Sequence, residues 1–516
     1  MFNACTYLVD RHVESGGGDR TAVIGPDGPL SYAELLERIR RMASGLRDLG
    51  VRPEERVLIH MPDSPDMLAL ILGAMRIGAV PVPVSTMMTA KDLAVVLGDS
   101  RARVLAAGAE FAAAAEEAAQ SAPDLTAFVL TGDTPPRAPD WAQGHLLDKV
   151  AESDGHGDPY ATSPDSSALW LYTSGTTGLP KAAVHRHASI RSVCETYGAQ
   201  VLGIRPDDRC LSVPKLFFAY GIGNSCFFPL SAGASTVLEA ARPTPSLIAE
   251  RLVAERPTLF FGVPTFYAAL LAADLPADTF ASVRRAVSAG EPLPAPIFRR
   301  FAERFGVEIL DGIGATEALH IFVSNRPGEV RPGSTGLPVP GYDVRIVGDD
   351  GAEVTRGTPG HLMVRGDSIA TGYWCRTEVT RRVFQGEWLR TGDTYVADED
   401  GSLRFLGRSD DMIKAGGIWV SPSEVESRLL EHPGVAQAVV VAVPDDDGLD
   451  KPVAGVVRAE GSEVTEAEIV AFCREGLAAF KRPRAVFFLE SLPTTATGKI
   501  QRYVLRDSLR ASGFAP

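Results

Sequence analysis

The sequence has few of the features that tie a chain to a membrane or to nucleic acid. No apolar run among its 516 residues reaches the length that spans a bilayer. Lys and Arg total 51 against 65 Asp and Glu, so the formal net charge is −14 and a basic nucleic-acid-binding surface is not expected. The first residues form no basic leader, which predicts a protein that is not secreted. The sequence therefore indicates a cytoplasmic protein without nucleic-acid or membrane partners.

Cysteine is also scarce, and its spacing argues against both a disulfide framework and a metal site. The chain contains no C-x-x-C pair and no cluster of metal-ligand type. Scattered thiols of this kind are typical of reduced cytosolic proteins, so neither a disulfide framework nor a zinc site is expected. The six cysteines are Cys5, Cys194, Cys210, Cys226, Cys375 and Cys473.

Length and patterning predict an α/β enzyme of more than one domain. A chain of 516 residues is too long for one compact core. An amphipathic helix is predicted from Ser31 to Gly50, and strands then alternate with helices, which favours a mostly parallel sheet covered on both faces. From about Arg331, short strands and Gly/Asp turns predict an antiparallel subdomain. The last hundred residues predict a separate α+β unit, with a boundary near residues 407–410.

A segment rich in Gly, Ser and Thr is the most informative feature that is present. It runs from Thr173 to Lys181, after an apolar stretch at 168–172 that predicts a buried strand. Glycines allow close approach of the backbone, hydroxyl groups donate to phosphate oxygens, and lysine adds charge. Pro180 stands where a Walker loop needs glycine, so this is a different polyphosphate loop; read alone, the segment also fits a solvated linker. Its candidate residues are Thr173, Ser174, Gly175, Thr176, Thr177, Gly178 and Lys181.

Four further positions carry side chains suited to nucleotide chemistry. The glycine-rich segment from 311 ends in Glu317, a carboxylate suited to Mg²⁺. Asp393 can accept hydrogen bonds from two ribose hydroxyls, Arg408 lies at the predicted boundary, and Lys499 lies on a turn near the C-terminus. Singly, each also fits a turn acid, a helix-start acid or a solvated charge. Their occurrence together and in this order is the specific signal.

In this order the segments resemble the core motifs of the adenylate-forming superfamily, which includes acyl-CoA synthetases, peptide-synthetase adenylation domains and luciferases. The resemblance covers nearly the whole chain. It implies an α/β fold with a large N-terminal domain, residues 1–408, of parallel-rich sheets with covering helices and a small antiparallel subdomain at 331–408. It also implies a small mobile C-terminal α+β domain, residues 409–516, with a hinge at Asp410 and the active site between the domains.

The resemblance implies catalytic roles for Lys499, Thr316 and Glu317. Lys499 would bridge the substrate carboxylate and the α-phosphate of ATP, and Thr316 would contact the α-phosphate. Glu317 would hold Mg²⁺, and Asp393 with Arg408 would bind the ribose. The remaining nucleotide-binding candidates are Gly290, Glu291, Asp311, Gly312 and Ile313.

The middle of the chain is similar to bacterial benzoate-CoA ligases, in the segments 215–224, 261–265, 288–291 and 311–321. Amino-acid-activating relatives carry an Asp at the position of Ala219, where it pairs with the substrate α-ammonium. An ammonium buried there without a partner would cost several kcal/mol, so the pocket predicts an aryl acid. The residues that would bind the acid are Phe218, Ala219, Tyr220, Ala289, Gly314, His320 and Ile321.

The same family implies three further requirements: ATP, Mg²⁺ as a cofactor, and coenzyme A as a co-substrate. Its pantetheine arm would pass Lys414, Gly416, Gly417 and Ile418, with Phe218 as a gate. The sequence thus predicts a ligase that converts benzoate or a small substituted benzoate to acyl-AMP and then to the CoA thioester. A stand-alone aryl-AMP ligase that loads a carrier protein is the alternative enzyme, and a non-catalytic nucleotide-binding protein is the alternative of another class. Ring substituents, pathway and oligomeric state, a homodimer included, are left open.

Overall fold

A computed structural model describes residues 1–155, 157–174, 180–409, 411–415, 418–445, 450–493, 500–511 and 514. In this part of the chain, none of the helices combines the length and the apolar character that crossing a membrane requires.

Strands are numbered in chain order. The strands up to residue 262 are β1 (Thr21–Gly25), β2 (Gly28–Ser31), β3 (Arg56–His60), β4 (Val80–Pro83), β5 (Val104–Ala107), β6 (Ala127–Leu130), β7 (Gln143–Leu146), β8 (Ser167–Ser174), β9 (Pro180–Arg186), β10 (Arg209–Ser212), β11 (Ser235–Val237) and β12 (Leu259–Gly262). The later strands are β13 (Arg285–Ser288), β14 (Ile309–Gly314), β15 (Ile321–Ser324), β16 (Leu337–Pro338), β17 (Asp343–Val347), β18 (Gly360–Arg365), β19 (Phe384–Gln385), β20 (Trp388–Ala397), β21 (Leu403–Arg408), β22 (Ile413–Ala415), β23 (Ile418–Val420), β24 (Val435–Pro444), β25 (Asp450–Arg458) and β26 (Val486–Phe488).

Helices are numbered in the same way. The α-helices are α1 (Tyr32–Asp48), α2 (Pro65–Arg76), α3 (Ala90–Ser100), α4 (Ala112–Ala119), α5 (Leu147–Ala151), α6 (His187–Val193), α7 (Ala219–Ile222), α8 (Phe228–Ala232), α9 (Pro245–Glu255), α10 (Pro264–Ala272), α11 (Ala295–Phe305), α12 (Thr377–Val383), α13 (Pro422–Leu430), α14 (Glu466–Gly476) and α15 (Arg502–Ala511). The 3₁₀ turns are Ala109–Phe111, Ala277–Phe280, Thr316–Ala318 and Ala479–Lys481. The π-helical segments are Thr6–Asp10, Val13–Gly17, Cys194–Leu202 and Gly223–Phe227.

A nine-stranded sheet forms the centre of the N-terminal part, in the order β16-β15-β14-β13-β12-β10-β11-β1-β2. The six strands from β14 to β1 in this order run parallel, and the edge strands are antiparallel. Apolar side chains such as Phe260 and Val287 are fully buried, as expected for parallel strands with both faces covered. Loops at the carboxyl ends of parallel strands are the usual ligand-binding edge of such a sheet.

A second sheet is parallel throughout and lies earlier in the chain. Its five strands have the order β4-β3-β5-β6-β7. Helix α1 begins after Ser31, whose side chain and that of Glu34 form a reciprocal capping box. The helix buries Leu35, Ile39 and Met42, which recur at helical spacing. This helix was predicted from the sequence with the same cap.

Antiparallel structure follows. Strands β17-β18-β20-β19, with β21 on β20, form a five-stranded antiparallel sheet that begins at Asp343, because β16 still belongs to the nine-stranded sheet. The C-terminal part contains the hairpin β22–β23 and the sheet β24-β25-β26, with a core that includes Val440, Val456 and Ile469. The predicted fold class is confirmed. The boundary after Arg408 and the hinge stay predictions, and Asp410 lies outside the described residues.

Candidate active site

The hairpin β8–β9 carries both ends of the predicted polyphosphate loop. Thr173 pairs with Lys181, and Ser174 pairs with Pro180, in antiparallel register. The predicted buried strand at 168–172 is thus one arm of a hairpin. The loop residues Gly175, Thr176, Thr177 and Gly178 lie outside the described residues, as does the side chain of Ser174.

Tyr373 connects Lys181 with Glu317. Lys181 Nζ donates to Tyr373 Oη at 3.0 Å and lies 4.1 Å from the centre of the phenol ring. The Tyr373 hydroxyl in turn donates to Glu317 Oε1. Burial lowers the pKa of Lys181, while the Glu317 carboxylate raises it and Arg382 and Arg408 lower it further. A bound polyphosphate would stabilise the charged ammonium in this position, because it supplies negative charge. Sequence reasoning missed Tyr373.

The turn that carries Thr316 and Glu317 is fixed through its carbonyl groups. His185 Nε2 donates to Thr316 O at 2.8 Å, Ala370 N donates to Glu317 O at 2.8 Å, and Ser368 Oγ donates to Ala318 O at 2.6 Å. Burial lowers the pKa of His185 to about 4, so the imidazole is neutral at pH 7. The half-buried Glu317 side chain therefore projects from a turn that cannot easily shift.

The predicted aryl-binding segment begins at a turn fixed by a buried carboxyl. Leu216 N donates to Asp63 Oδ1 and Oδ2 at 3.0 and 3.2 Å, and Asp63 is 3% exposed. Burial raises the pKa of Asp63 to about 6. Phe218 precedes α7 with its ring against Phe217, and Tyr220 Oη donates to Val287 O at 3.2 Å. Half-buried Ala219 lies between these two aromatic residues.

His320 forms an uncharged wall beside this segment. Its Nε2 lies 3.3 Å from Tyr220 O and 3.2 Å from Asn224 Oδ1. A carbonyl can only accept, so Nε2 carries the proton and donates. Burial lowers the pKa of His320 to about 3. The rings of His320 and Phe228 pack in a T-shaped arrangement with their centres 4.5 Å apart. A Cβ at Gly223 would lie 2.2 Å from His320 Cδ2, so this close packing requires glycine.

The loops after β13 and β14 bring the remaining N-terminal candidates together. Ser288 pairs with Asp311 in parallel register, and Ala289 and Gly290 follow at once. Gly290 has φ +93°, which favours glycine. Asp311 is 8% exposed, and burial raises its pKa well above the usual range. The other candidates on this edge are Gly312, Ile313 and Gly314 on β14 and Ile321 on β15.

The two predicted ribose-binding residues lie opposite each other. Asp393 on β20 pairs with Arg408 on β21 in the antiparallel sheet. Arg408 Nη1 donates to Asp393 Oδ1 at 2.8 Å and to Thr391 O at 3.1 Å. Asp393 is 6% exposed, so the guanidinium holds a largely buried carboxylate.

The C-terminal part approaches the same edge of the large sheet. Ile500 N donates to Glu291 Oε1 at 2.8 Å. A cavity of about 620 Å³ between the two parts is lined among others by Glu291, Asp311, Arg428 and Arg502. Its size is within the range of small-molecule sites.

Several predicted residues of the C-terminal part cannot be placed. Lys499, Gly416, Gly417 and Asp410 lie outside the described residues. The backbones of Lys414 and Ile418 belong to the hairpin β22–β23, whereas their side chains are also outside. Within the described ranges, no three His, Cys, Asp or Glu side chains gather where they could hold a metal ion.

Comparison with known proteins identifies the family. Residues 9–374 match the family model of the AMP-binding enzymes, and residues 424–499 match that of the AMP-binding enzyme C-terminal domain. The chain belongs to the AMP-binding enzyme family. The resemblance to the adenylate-forming superfamily is thereby confirmed.

Three relatives have full-length similarity. Benzoate–CoA ligase of Thauera aromatica is 42% identical over 98% of this chain and 96% of its own. The structure of a benzoate CoA ligase from Burkholderia xenovorans LB400 has a TM-score of 0.90 at 42% identity and covers 98% of this chain and 100% of that one. The structure of the anthranilate CoA ligase AuaEII in complex with anthranoyl-AMP has a TM-score of 0.93 at 37% identity, over 99% and 98% of the two chains.

Proposed function

We propose that the protein is an aryl-CoA ligase that uses ATP and Mg²⁺ to activate benzoate or a small substituted benzoate. The acid is converted first to acyl-AMP and then to the coenzyme A thioester. Full-length similarity to benzoate and anthranilate CoA ligases supports the reaction class. The uncharged, aromatic surroundings of His320 are the observation that carries the choice of an aryl acid.

The pocket selects against amino acids because Ala219 has no charge to pair with an α-ammonium group. The methyl group of Ala219 replaces the carboxylate that pairs with an α-ammonium in amino-acid-activating relatives. His320 is neutral and already donates to Tyr220 and Asn224, so it adds no charge. A flat ring between these groups gains apolar contact, whereas a buried ammonium would lose its hydration without an ionic partner.

In the first half-reaction a carboxylate oxygen attacks the α-phosphorus of ATP. The bond from this phosphorus to the bridging oxygen breaks, and pyrophosphate leaves with the electron pair. Lys181 and the loop before it would hold the β- and γ-phosphates, and Thr316 would contact the α-phosphate. Lys499 would lie between the two anions and stabilise the charge that develops on the α-phosphate oxygens.

Glu317 would hold Mg²⁺, which neutralises phosphate charge when it is bound. This ion usually takes one or two carboxylates and completes its shell with phosphate and water oxygens. A half-buried carboxylate on a turn fixed through three carbonyls fits that requirement. Asp393 and Arg408 would bind the ribose, with the pair between them orienting the carboxylate.

In the second half-reaction the coenzyme A sulfur bonds to the acyl carbon. The bond from this carbon to the AMP oxygen breaks, AMP leaves, and the thiol proton passes to solvent. A hinge at Asp410, between the domains 1–408 and 409–516, would let the C-terminal domain remove Lys499 from the site and bring in the sequence around Gly416 and Gly417. The glycines would leave room for the pantetheine arm, and Phe218 would close the tunnel.

An assay with purified protein, MgATP and a panel of acids tests this proposal. The panel holds benzoate, hydroxy-, amino- and chlorobenzoates, and straight-chain alkanoates. We expect pyrophosphate release that requires an aryl acid, and thioester formation with free coenzyme A. Thioester formation on a carrier protein alone would favour the aryl-AMP ligase, and pyrophosphate release with alkanoates but not benzoates would overturn the aryl assignment.

A further inference from the structure

We propose that Tyr373 is a positioning residue of the triphosphate site, whose hydroxyl keeps Lys181 and Glu317 apart and ready for the nucleotide. This inference rests on the proposed function, because it concerns the same nucleotide site. No motif in the sequence assigns a role to this tyrosine, which is 192 residues from Lys181 and 56 from Glu317.

The phenol hydroxyl stands between a cation and an anion. A hydroxyl has one proton to donate and two lone pairs to accept with. Tyr373 Oη uses both capacities, because it accepts from Lys181 Nζ at 3.0 Å and donates to Glu317 Oε1. The ammonium and the carboxylate are therefore bridged through the phenol, and each keeps further hydrogen-bonding capacity for a phosphate or a metal ion.

The ring is held in place independently of these two charges. The rings of Tyr373 and Phe384 pack in a T-shaped arrangement with their centres 5.3 Å apart. Tyr373 also forms an antiparallel bridge with Ala183 of β9. Tyr373 N also donates to Thr380 Oγ1 at 3.0 Å. Gly372 before it has φ +148°, and a Cβ there would lie 2.8 Å from Thr380 Cγ2. Removal of the hydroxyl should leave the ring where it is.

The strand that carries Lys181 and the turn that carries Glu317 both lie next to this ring. Strand β9 carries Lys181 and bonds to the segment 371–374 on both sides of Tyr373, through Val184 N to Gly372 O and Trp374 N to Ala182 O, each at 3.0 Å. The turn with Glu317 is bonded directly before this segment, because Ala370 N donates to Glu317 O at 2.8 Å. Tyr373 thus sits where the lysine strand and the glutamate turn are joined.

Loss of the hydroxyl should let the two charges pair directly. Both are partly buried, where attraction between opposite charges is stronger than in bulk water. A direct Lys181–Glu317 pair would have to be broken before Lys181 could contact phosphate and Glu317 could contact Mg²⁺. Tyr373→Phe should therefore weaken MgATP binding, and it should do so only while Lys181 is present.

Calorimetric titration of MgATP into the full-length protein, without aryl acid, tests the inference. We expect Tyr373→Phe to weaken binding about tenfold, the size of one hydrogen bond to a charged group. In a Lys181→Met background the same change should alter the Kd less than about twofold, because a pairwise effect vanishes when its partner is gone. Titration with ATP in EDTA should show a smaller difference between the wild type and Tyr373→Phe than titration with MgATP does.

Tyr172→Phe is the matched control. Tyr172 lies on the neighbouring strand β8, and its hydroxyl donates to Asp99 Oδ2 at 2.7 Å. It should leave the Kd for MgATP unchanged, and thermal unfolding of all variants reports any loss of folded protein. An unchanged Kd for Tyr373→Phe, or an equal loss in the Lys181→Met background, would overturn the inference.

The outcome separates this inference from the proposed function. A wild-type protein that binds MgATP more tightly than Tyr373→Phe but forms no aryl thioester would sustain the role of Tyr373 and refute the ligase. A wild-type protein that forms benzoyl-CoA while Tyr373→Phe binds MgATP equally well would do the reverse. A wild-type protein that binds no MgATP would refute both.

Discussion

Ile500 donates its backbone N–H to the side chain of Glu291 at 2.8 Å, across 209 residues of sequence. Glu291 directly follows the loop with Ala289 and Gly290, at the carboxyl end of β13. The residue after Lys499 is therefore bonded to the edge of the large sheet where the acid-binding and nucleotide-binding candidates meet. This bond supports a C-terminal lysine that acts on the first half-reaction.

Ala219 should determine whether the pocket accepts an aryl acid, which carries no ammonium group. We expect Ala219→Asp to lower kcat/KM for benzoate on the order of 100-fold, because it buries a carboxylate beside the ring and the substrate carboxylate. Ala219→Asn, similar in size and uncharged, separates bulk from charge and should be less harmful. An Ala219→Asp protein with wild-type kcat/KM would remove Ala219 from the acid pocket.

Gly417 should matter only to thioester formation. A Gly417→Phe side chain would obstruct the pantetheine arm without touching ATP or the acid. We expect thioester formation from supplied acyl-AMP to fall on the order of tenfold or more, while pyrophosphate release in a single turnover stays near wild type. Equal slowing of both half-reactions would place Gly417 outside the tunnel.

Stability should fall as the pH is lowered because of buried neutral histidines, and His60 is the simplest case. His60 is fully buried against Phe111, and burial lowers its pKa to about 4. The unfolded chain binds a proton near pH 6.5 that the folded state refuses until about pH 4, so stability is lost as pH falls through that window.

Urea unfolding of the wild type and His60→Leu at pH 7 and pH 5 measures this effect. The stability of His60→Leu relative to the wild type should rise by about 2 kcal/mol on going to pH 5. The comparison isolates His60 from the other titrating groups. The same difference in stability at both pH values would contradict this account, because it would show that folding does not change the pKa of His60.

Local structure could be predicted where neighbours in sequence decide it. Helix α1 follows from the spacing of Leu35, Ile39 and Met42 and the cap at Ser31, and the parallel strands follow from their apolar runs. Asp63 could not be found, because a single acid carries no periodicity and its partner Leu216 is 153 residues away.

The candidate site divides in the same way. Residues within motifs, such as Glu317, Asp393 and Arg408, stand out because glycines and polar groups surround them in sequence. Tyr373 precedes a tryptophan in a segment without periodicity, and its meaning appears only when β9 and the Glu317 turn meet around its ring. Long-range contacts of this kind leave no local pattern.

Rapid-quench kinetics of Lys499→Ala in the two separate half-reactions tests the account most directly. We expect acyl-AMP formation to fall on the order of 10²–10³, the scale for one stabilising group lost. Thioester formation from chemically supplied acyl-AMP should stay within about twofold of wild type, because Lys499 would have left the site by then. Equal slowing of both half-reactions would contradict the exchange of Lys499 for the β22–β23 hairpin and indicate one fixed active site.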